Sequence, residues 1–241
     1  MANFFVDKDA FGLNPVIISG DEANHMIKVL RMKEGEFLTL FDGDGNCAEG
    51  EIEKIENKTV YVKVIKRYQS ESEPQLKITL FQAIPKNPKL DLIIQKATEL
   101  GVTRIVPVNT KRIVAKIDKE AKIERLQKIA HEAAKQCGRA YIPPVTKPVG
   151  FEDALKEMNA MDAAIIPYEC ERDGKMGDVL PKGIKTLGII IGPEGGFEES
   201  EVKKAMEAGV RPVTLGKRIL RTETAGLIAS AIALYIAGDM E

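Results

Sequence analysis

The residues best equipped for chemistry in this 241-residue chain lie in two glycine-bearing loops. The first is Gly188-Ile189-Ile190-Ile191-Gly192-Pro193-Glu194-Gly195-Gly196-Phe197, an apolar run that breaks into glycines and then into the acids Glu198, Glu199 and Glu201. Glycines let backbone approach a ligand closely, and in an open α/β sheet ligands sit beyond the carboxyl ends of strands. The spacing fits neither GxGxxG nor GxxxxGK[ST], which excludes a dinucleotide fingerprint and a P-loop. Three acids in the following turn would repel a phosphate but tolerate a cationic ligand. Alone, the segment reads equally well as a tight strand-to-helix turn. The second loop is Leu215-Gly216-Lys217-Arg218-Ile219-Leu220-Arg221-Thr222-Glu223-Thr224-Ala225. It too follows a strand and opens a helix, with Thr222 as the expected N-cap and Glu223 near the positive end of the helix dipole. Two such turns in one sheet point to a shared crevice. Arg221 and Glu223 otherwise read as a surface ion pair or a cap.

Strands must deliver both loops to one edge. Residues 76–84, 104–108, 163–167, 187–191 and 212–215 are short apolar strands, and helices are expected over 88–100, 118–137, 198–208 and 223–237. Asn87 and Pro88 supply a cap and first-turn proline, and Gly101 and Gly138 supply stops. Alternating strands and helices with apolar strands imply a mostly parallel sheet covered on both faces. Residues 1–70 differ. Strands at 16–18, 37–41, 48–55 and 60–65, with one helix at 21–30, suit a small β-barrel. The polar stretch Tyr68-Gln69-Ser70-Glu71-Ser72-Glu73-Pro74 reads as a linker between domains 1–70 and 75–241.

Hydrophobic residues at 44% and charged residues at 29% exclude a disordered chain. The net charge of -1 conceals an asymmetry: residues 73–150 carry 15 basic and 7 acidic side chains, whereas residues 151–241 carry 11 and 16. Such a distribution suggests a face built to meet something anionic. Cys47, Cys137 and Cys170 lack CxxC pairing, and His25 and His131 are the only histidines. Neither a metal site nor a disulfide framework is expected, and a reducing, cytoplasmic location is. No basic-then-apolar leader opens the chain, and the longest apolar run, 225–237, is interrupted by Ser230, so no membrane partner is expected. His25, His131 and the methionines read as packing groups.

IGPEGGF at 191–197 followed by LGKRILRTETA at 215–225 resembles the SPOUT, or α/β-knot, methyltransferases. More narrowly, it resembles the bacterial family that methylates N3 of a uridine in 16S ribosomal RNA. His25-Met26-Ile27-Lys28-Val29-Leu30-Arg31, Gln95-Lys96-Ala97-Thr98-Glu99-Leu100-Gly101-Val102 and Glu132-Ala133-Ala134-Lys135-Gln136-Cys137-Gly138-Arg139 extend the likeness over nearly the whole chain. Cys137 stands where serine is expected. The resemblance implies an α/β protein: an N-terminal PUA-like β-barrel that binds RNA, then a SPOUT methyltransferase domain with a C-terminal trefoil knot. It also implies S-adenosyl-L-methionine bound in the knot by Pro167, Tyr168, Ile191, Gly192, Gly195, Gly196, Leu215, Gly216, Ile219 and Leu220, with Glu169 in the same loops. It implies a C2 homodimer built on the apolar helix 223–237, its pocket borrowing Arg31 or Arg139 from the partner subunit. The partner would be 16S ribosomal RNA or the small ribosomal subunit, with no metal.

Under that resemblance the basic middle gains a role. Lys86, Lys89, Lys96, Lys111, Arg112 and Arg139 become candidates to track phosphates, with Arg31 from the barrel. Lys116, Lys119, Lys122, Arg125 and Lys128 recur every third residue along the long helix. The implied reaction is displacement at a sulfonium methyl by uridine N3, which requires alignment and removal of the imide proton. Arg221 would steady the uracil anion, and Glu223 or Glu194 would accept the proton. Two other readings stand beside it: a SPOUT enzyme acting on ribose 2'-OH or a tRNA base, and a non-catalytic RNA-binding protein, which would leave both glycine loops idle.

Overall fold

Alternating apolar residues between residues 37 and 69 give a sheet one buried face, and that face starts the first of two units. The structure is a computed structural model that describes residues 2–86 and 88–240. The first unit comprises residues up to Glu73 together with Ala134–Ile142; the second comprises Pro74–Ala133 and the chain from Pro143 onward. The expected cap Asn87 lies outside the described residues.

In the first unit, β1 (Ala2–Phe5), α1 (Lys8–Phe11), β2 (Val16–Ile18), α2 (Gly20–Asn24), β3 (Phe37–Phe41), β4 (Asn46–Glu56) and β5 (Thr59–Gln69) follow in order, and α2 runs into a π-helical turn, His25–Val29. The sheet order is β1-β3-β4-β5-β2, with β1 parallel to β3 and the other pairs antiparallel. It curls around Phe4, Val16, Leu38, Leu40, Ile52 and Val62, joined by Ala23 and Met26 of the helical segment. Among the described residues no ladder joins β1 to β2, so the expected barrel is a half-barrel; five strands leave both edges unpaired. The expected linker is also structured. Strand β5 continues to Gln69, and the Glu73 carboxylate accepts from the Arg139 guanidinium at 2.8 Å and the Tyr141 N–H at 3.1 Å.

The second unit contains β6 (Lys77–Ala83), α3 (Lys89–Leu100), β7 (Arg104–Asn109), α4 (Glu120–Cys137, whose last turn belongs to the first unit), β8 (Val149–Gly150), α5 (Phe151–Met158), β9 (Ala163–Pro167), α6 (Met176–Val179), β10 (Thr186–Ile191), α7 (Glu199–Glu207), β11 (Arg211–Val213) and α8 (Thr222–Ala237). Its sheet is parallel throughout, in the order β11-β9-β10-β6-β7-β8. Successive β10 residues feed opposite layers: Ile189 and Ile191 pack with Leu80, Ile93 and Leu234, and Ile190 packs with Phe81, Val106 and Val202. Burial on both faces explains why these strands are continuous apolar runs. Gly101, at φ +103°, ends α3 in the left-handed conformation that favours glycine. The chain leaves β6 toward β7 and leaves β10 toward β11, on opposite sides. The crevice between the carboxyl ends of β6 and β10 is therefore the switch point where ligands collect.

One expectation about the helices is corrected. Helix α4 begins at Glu120, so Lys116 and Lys119 lie on the loop before it and the every-third-residue stripe is not one helical face. Helix α8 buries Gly226, Ala229, Ser230, Ala233 and Leu234, leaving Ile228, Tyr235 and Ile236 exposed. Among the described residues no helix is long and apolar enough to cross a membrane, and no His/Cys/Asp/Glu group is arranged to hold a metal.

Candidate active site

The glycine loop leaves the end of β10 directly at the switch point. Gly196 has φ +67°, and a Cβ there would lie 3.0 Å from Glu169 Oε1. A side chain is thus opposed both by the backbone conformation and by the neighbouring loop. The loops after β9 and β11 meet this one. Together they wall two depressions: a small one of about 90 Å³ lined by Tyr168, Leu215, Gly216, Ile219 and Leu220, and a larger cavity of about 500 Å³ lined by Ile191, Gly192, Glu194, Gly195, Gly196, Arg221 and Lys89. Pro167, Glu169, Ile219 and Leu220 border both. Every residue expected to hold the cofactor borders one or the other.

Thr222 does not cap α8. Arg221 occupies the N-cap position, and Thr222 is the first helical residue. Its hydroxyl donates to Gly192 O at 2.6 Å and accepts from the Gln82 side-chain amide at 3.0 Å. Gln82 is fully buried at the end of β6. One hydroxyl therefore ties α8, the glycine loop and the central strand together. Sequence reasoning missed Gln82, although a polar side chain inside the apolar strand Leu80-Phe81-Gln82-Ala83-Ile84 is the signal that marks it.

The three expected catalytic residues cluster around Lys89. Its ammonium lies 3.1 Å from Glu194 Oε1 and 3.2 Å from Glu223 Oε2. Glu194 Oε1 also accepts the Lys86 N–H at 3.1 Å. Burial pushes the Glu194 carboxyl up, but its own backbone N–H, the Lys89 ammonium and the Lys86 N–H outweigh that and hold it below the usual carboxylate range. Arg221 Nη1 is 3.9 Å from Glu223 Oε1; the Arg221 side chain is 81% exposed and that of Glu223 only 15%. The cavity thus offers one guanidinium free to meet an incoming group, beside a carboxylate largely withdrawn from water.

The expected phosphate-tracking residues do not form one surface. Lys89 faces the cavity. Lys111 donates its ammonium to Glu198 Oε2 at 2.8 Å and Ser200 Oγ at 2.9 Å, and its N–H to Glu201 Oε1 at 3.0 Å. The Lys111 ammonium holds Glu198 below the usual carboxylate range. Arg112 donates to Gly195 O at 2.8 Å, so the loop after β7 is stitched to the glycine loop. Lys96 pairs with Glu99 on its own helix. Arg139 is the clearest correction: it belongs to the first unit, is 4% exposed and is held by Glu73, so it offers nothing to a phosphate. Lys86 and Arg31 are exposed and form no ion pair among the described residues. Arg31 lies in the first unit.

A parallel α/β sheet with a glycine-walled cavity at its switch point defines an α/β protein with a small-molecule site, and comparison narrows the class. The model of the RNA methyltransferase domain matches residues 71–234 and that of the RNA methyltransferase PUA domain matches residues 18–65; the chain belongs to this RNA methyltransferase family. Its relatives include ribosomal RNA small subunit methyltransferase E of Bacillus subtilis (strain 168), 37% identical over 230 residues that cover 90% of this chain and 89% of the relative. The protein of the same name from Mesomycoplasma hyopneumoniae (strain 232) is 32% identical, over 94% and 96% of the two chains. A solved structure of ribosomal RNA small subunit methyltransferase E from Neisseria gonorrhoeae, bound to S-adenosyl methionine, superposes with a TM-score of 0.87 at 34% identity over 98% of both chains.

Proposed function

We propose that this chain uses S-adenosyl-L-methionine to methylate N3 of a specific uridine in 16S ribosomal RNA of the small subunit. The observation that carries the proposal is the convergence of three strand-end loops on one cavity whose glycine wall excludes side chains. At about 500 Å³ the cavity is of small-molecule size. Its Glu169 and Glu194 carboxylates suit a ligand with cationic groups, and the backbone of Ile191, Gly192, Gly195, Gly196, Leu215, Gly216 and Leu220, with Pro167, Tyr168 and Ile219, would hold it. When bound, the cofactor supplies a methyl group on a cationic sulfur that departs as a neutral thioether, so the chemistry calls for no metal.

The rest falls to the chain's own residues. Neutral uracil N3 is a poor nucleophile, so the site must take its proton and spread the resulting charge. Arg221, exposed at the cavity mouth, donates to uracil O2 or O4 as the anion develops. Glu223 accepts the N3 proton, directly or through water. Lys89 pairs with both carboxylates, but Glu194 is the poorer acceptor because its own backbone N–H and that of Lys86 hold its charge as well.

The PUA-like residues 1–70 serve as the RNA-binding module and residues 75–241 as the catalytic domain, with a C-terminal trefoil knot. RNA also follows the groove of about 560 Å³ lined by Pro88, Lys116, Lys119 and Lys122 together with Asp118 and the Arg125–Asp91 pair, which begins one residue from Lys89 of the cavity. Exposed Ile219, Ile228, Tyr235 and Ile236 supply the apolar surface of a C2 homodimer in the cytoplasm, with Arg31 as the residue offered to the partner. Calorimetric titration with S-adenosyl-L-methionine tests the reading: one site per chain is expected, and absence of binding by folded protein would overturn it.

A further inference from the structure

Lys89 breaks a local rule. It lies in the first turn of α3, after Pro88, where free N–H groups and the helix dipole favour an acid and disfavour an ammonium. Departures of that kind concentrate at functional positions, where something else offsets them. Here the offset is two carboxylates from other segments, Glu194 of the glycine loop and Glu223 of the first turn of α8. The side chains of Lys89, Glu194 and Glu223 are 28%, 30% and 15% exposed, so the three charges interact with less screening than an open surface pair. Without the ammonium, two carboxylates converging on one point would repel each other and push the loop from the helix. The loop is otherwise tied at Gly192 by the Thr222 hydroxyl and at Gly195 by Arg112. Between those ties, Glu194 is held by Lys89 and the Lys86 N–H.

We infer that Lys89 is a positioning residue of the methyl-transfer site, its ammonium tying the glycine loop to α8 and so fixing the cavity wall, and is not a phosphate contact. The inference rests on the methyltransferase reading above. It concerns how the chain holds its own loop, and binding without turnover reports on that directly.

The test uses the full chain and three variants: Lys89→Met, Lys89→Arg, and Lys89→Met combined with Glu223→Gln. Affinity for S-adenosyl-L-methionine is measured by calorimetry without RNA, and affinity for RNA is measured as a function of salt. Lys89→Met should weaken cofactor binding about tenfold, the loss typical when one partner of a partly buried pair is removed. Lys89→Arg should keep it within about threefold because the charge remains. The double variant should recover most of the loss, since a neutral amide at position 223 no longer repels Glu194. All three should keep the wild-type salt slope. A slope flattened by about 0.7 in Lys89→Met, with cofactor affinity unchanged, would make Lys89 a phosphate contact and overturn the clamp. A double variant that binds no better than Lys89→Met would also overturn it. Failure of the wild-type chain to bind the cofactor would instead remove the methyltransferase reading itself.

Discussion

The cations of residues 86–112 and those of residues 116–122 belong to one basic stretch and face opposite fates. Lys89, Lys111 and Arg112 are drawn to acceptors in residues 194–201 and 223, where Lys89 lines the cavity and the other two brace the glycine loop and the helix that follows it. Lys116, Lys119 and Lys122 line a groove and form no ion pair among the described residues. The excess of positive charge in residues 73–150 and of negative charge in residues 151–241 is thus partly spent within one unit, each answering the other across the sheet's carboxyl edge. A local charge surplus marks a nucleic-acid surface only after the acids of distant segments have been placed against it. What remains for RNA is narrower than the charge tally suggests.

The contrast can be broken, beginning where the effect should be largest. Gly196→Val should abolish measurable binding of S-adenosyl-L-methionine while leaving the thermal unfolding transition cooperative, because valine meets both φ +67° and Glu169 Oε1 at 3.0 Å. A folded variant that binds normally would remove the glycine loop from the site. Arg139→Ala should cost about 3–5 kcal/mol of stability, as expected when a buried ion pair is deprived of one partner, and thermal melts would show it. If instead the variant melts like wild type and loses RNA affinity, Arg139 belongs with the free cations after all. Glu223→Gln should lower kcat by roughly 100-fold or more, the usual share of a general base, and Glu194→Gln by much less. The reverse ranking in single-turnover rates would exchange the two carboxylates. Finally, replacing Lys116, Lys119 and Lys122 with alanine should flatten the log–log salt slope of RNA binding by about 0.7 for each phosphate left without its cation, while replacing Lys111 and Arg112 should leave it alone. Equal slopes for the two sets would erase the distinction between groove and brace.

Sequence made the crevice legible because its signal is local: apolar strand, glycine turn, acidic helix start, repeated at 188–199 and 215–225. It left the partners dark. Gln82 and Thr222 bond across 140 residues, and the Lys86 N–H reaches Glu194 across 108; no window along the chain contains such pairs. Tyr68 to Pro74 looked like a linker because its acids are solvated in any local reading, yet Glu73 meets Arg139 from 66 residues away. Strand β1 escaped for a similar reason: its four residues become a strand only by pairing with β3, Ala2 opposite Leu38. The α4 helix was visible, but not that its last turn packs Ala134 with Phe5, Phe41 and Cys47 of the first unit.

The central claim is that the cavity methylates uridine N3, and nucleoside analysis tests it most directly. 16S ribosomal RNA lacking the modification, free or in small subunits, is incubated with the chain and S-adenosyl-L-methionine bearing a labelled methyl group, then digested to nucleosides. The account predicts that the label appears in 3-methyluridine and that Gly196→Val leaves none. Label in a 2'-O-methyl nucleoside, in transfer RNA alone, or nowhere despite bound cofactor would contradict it.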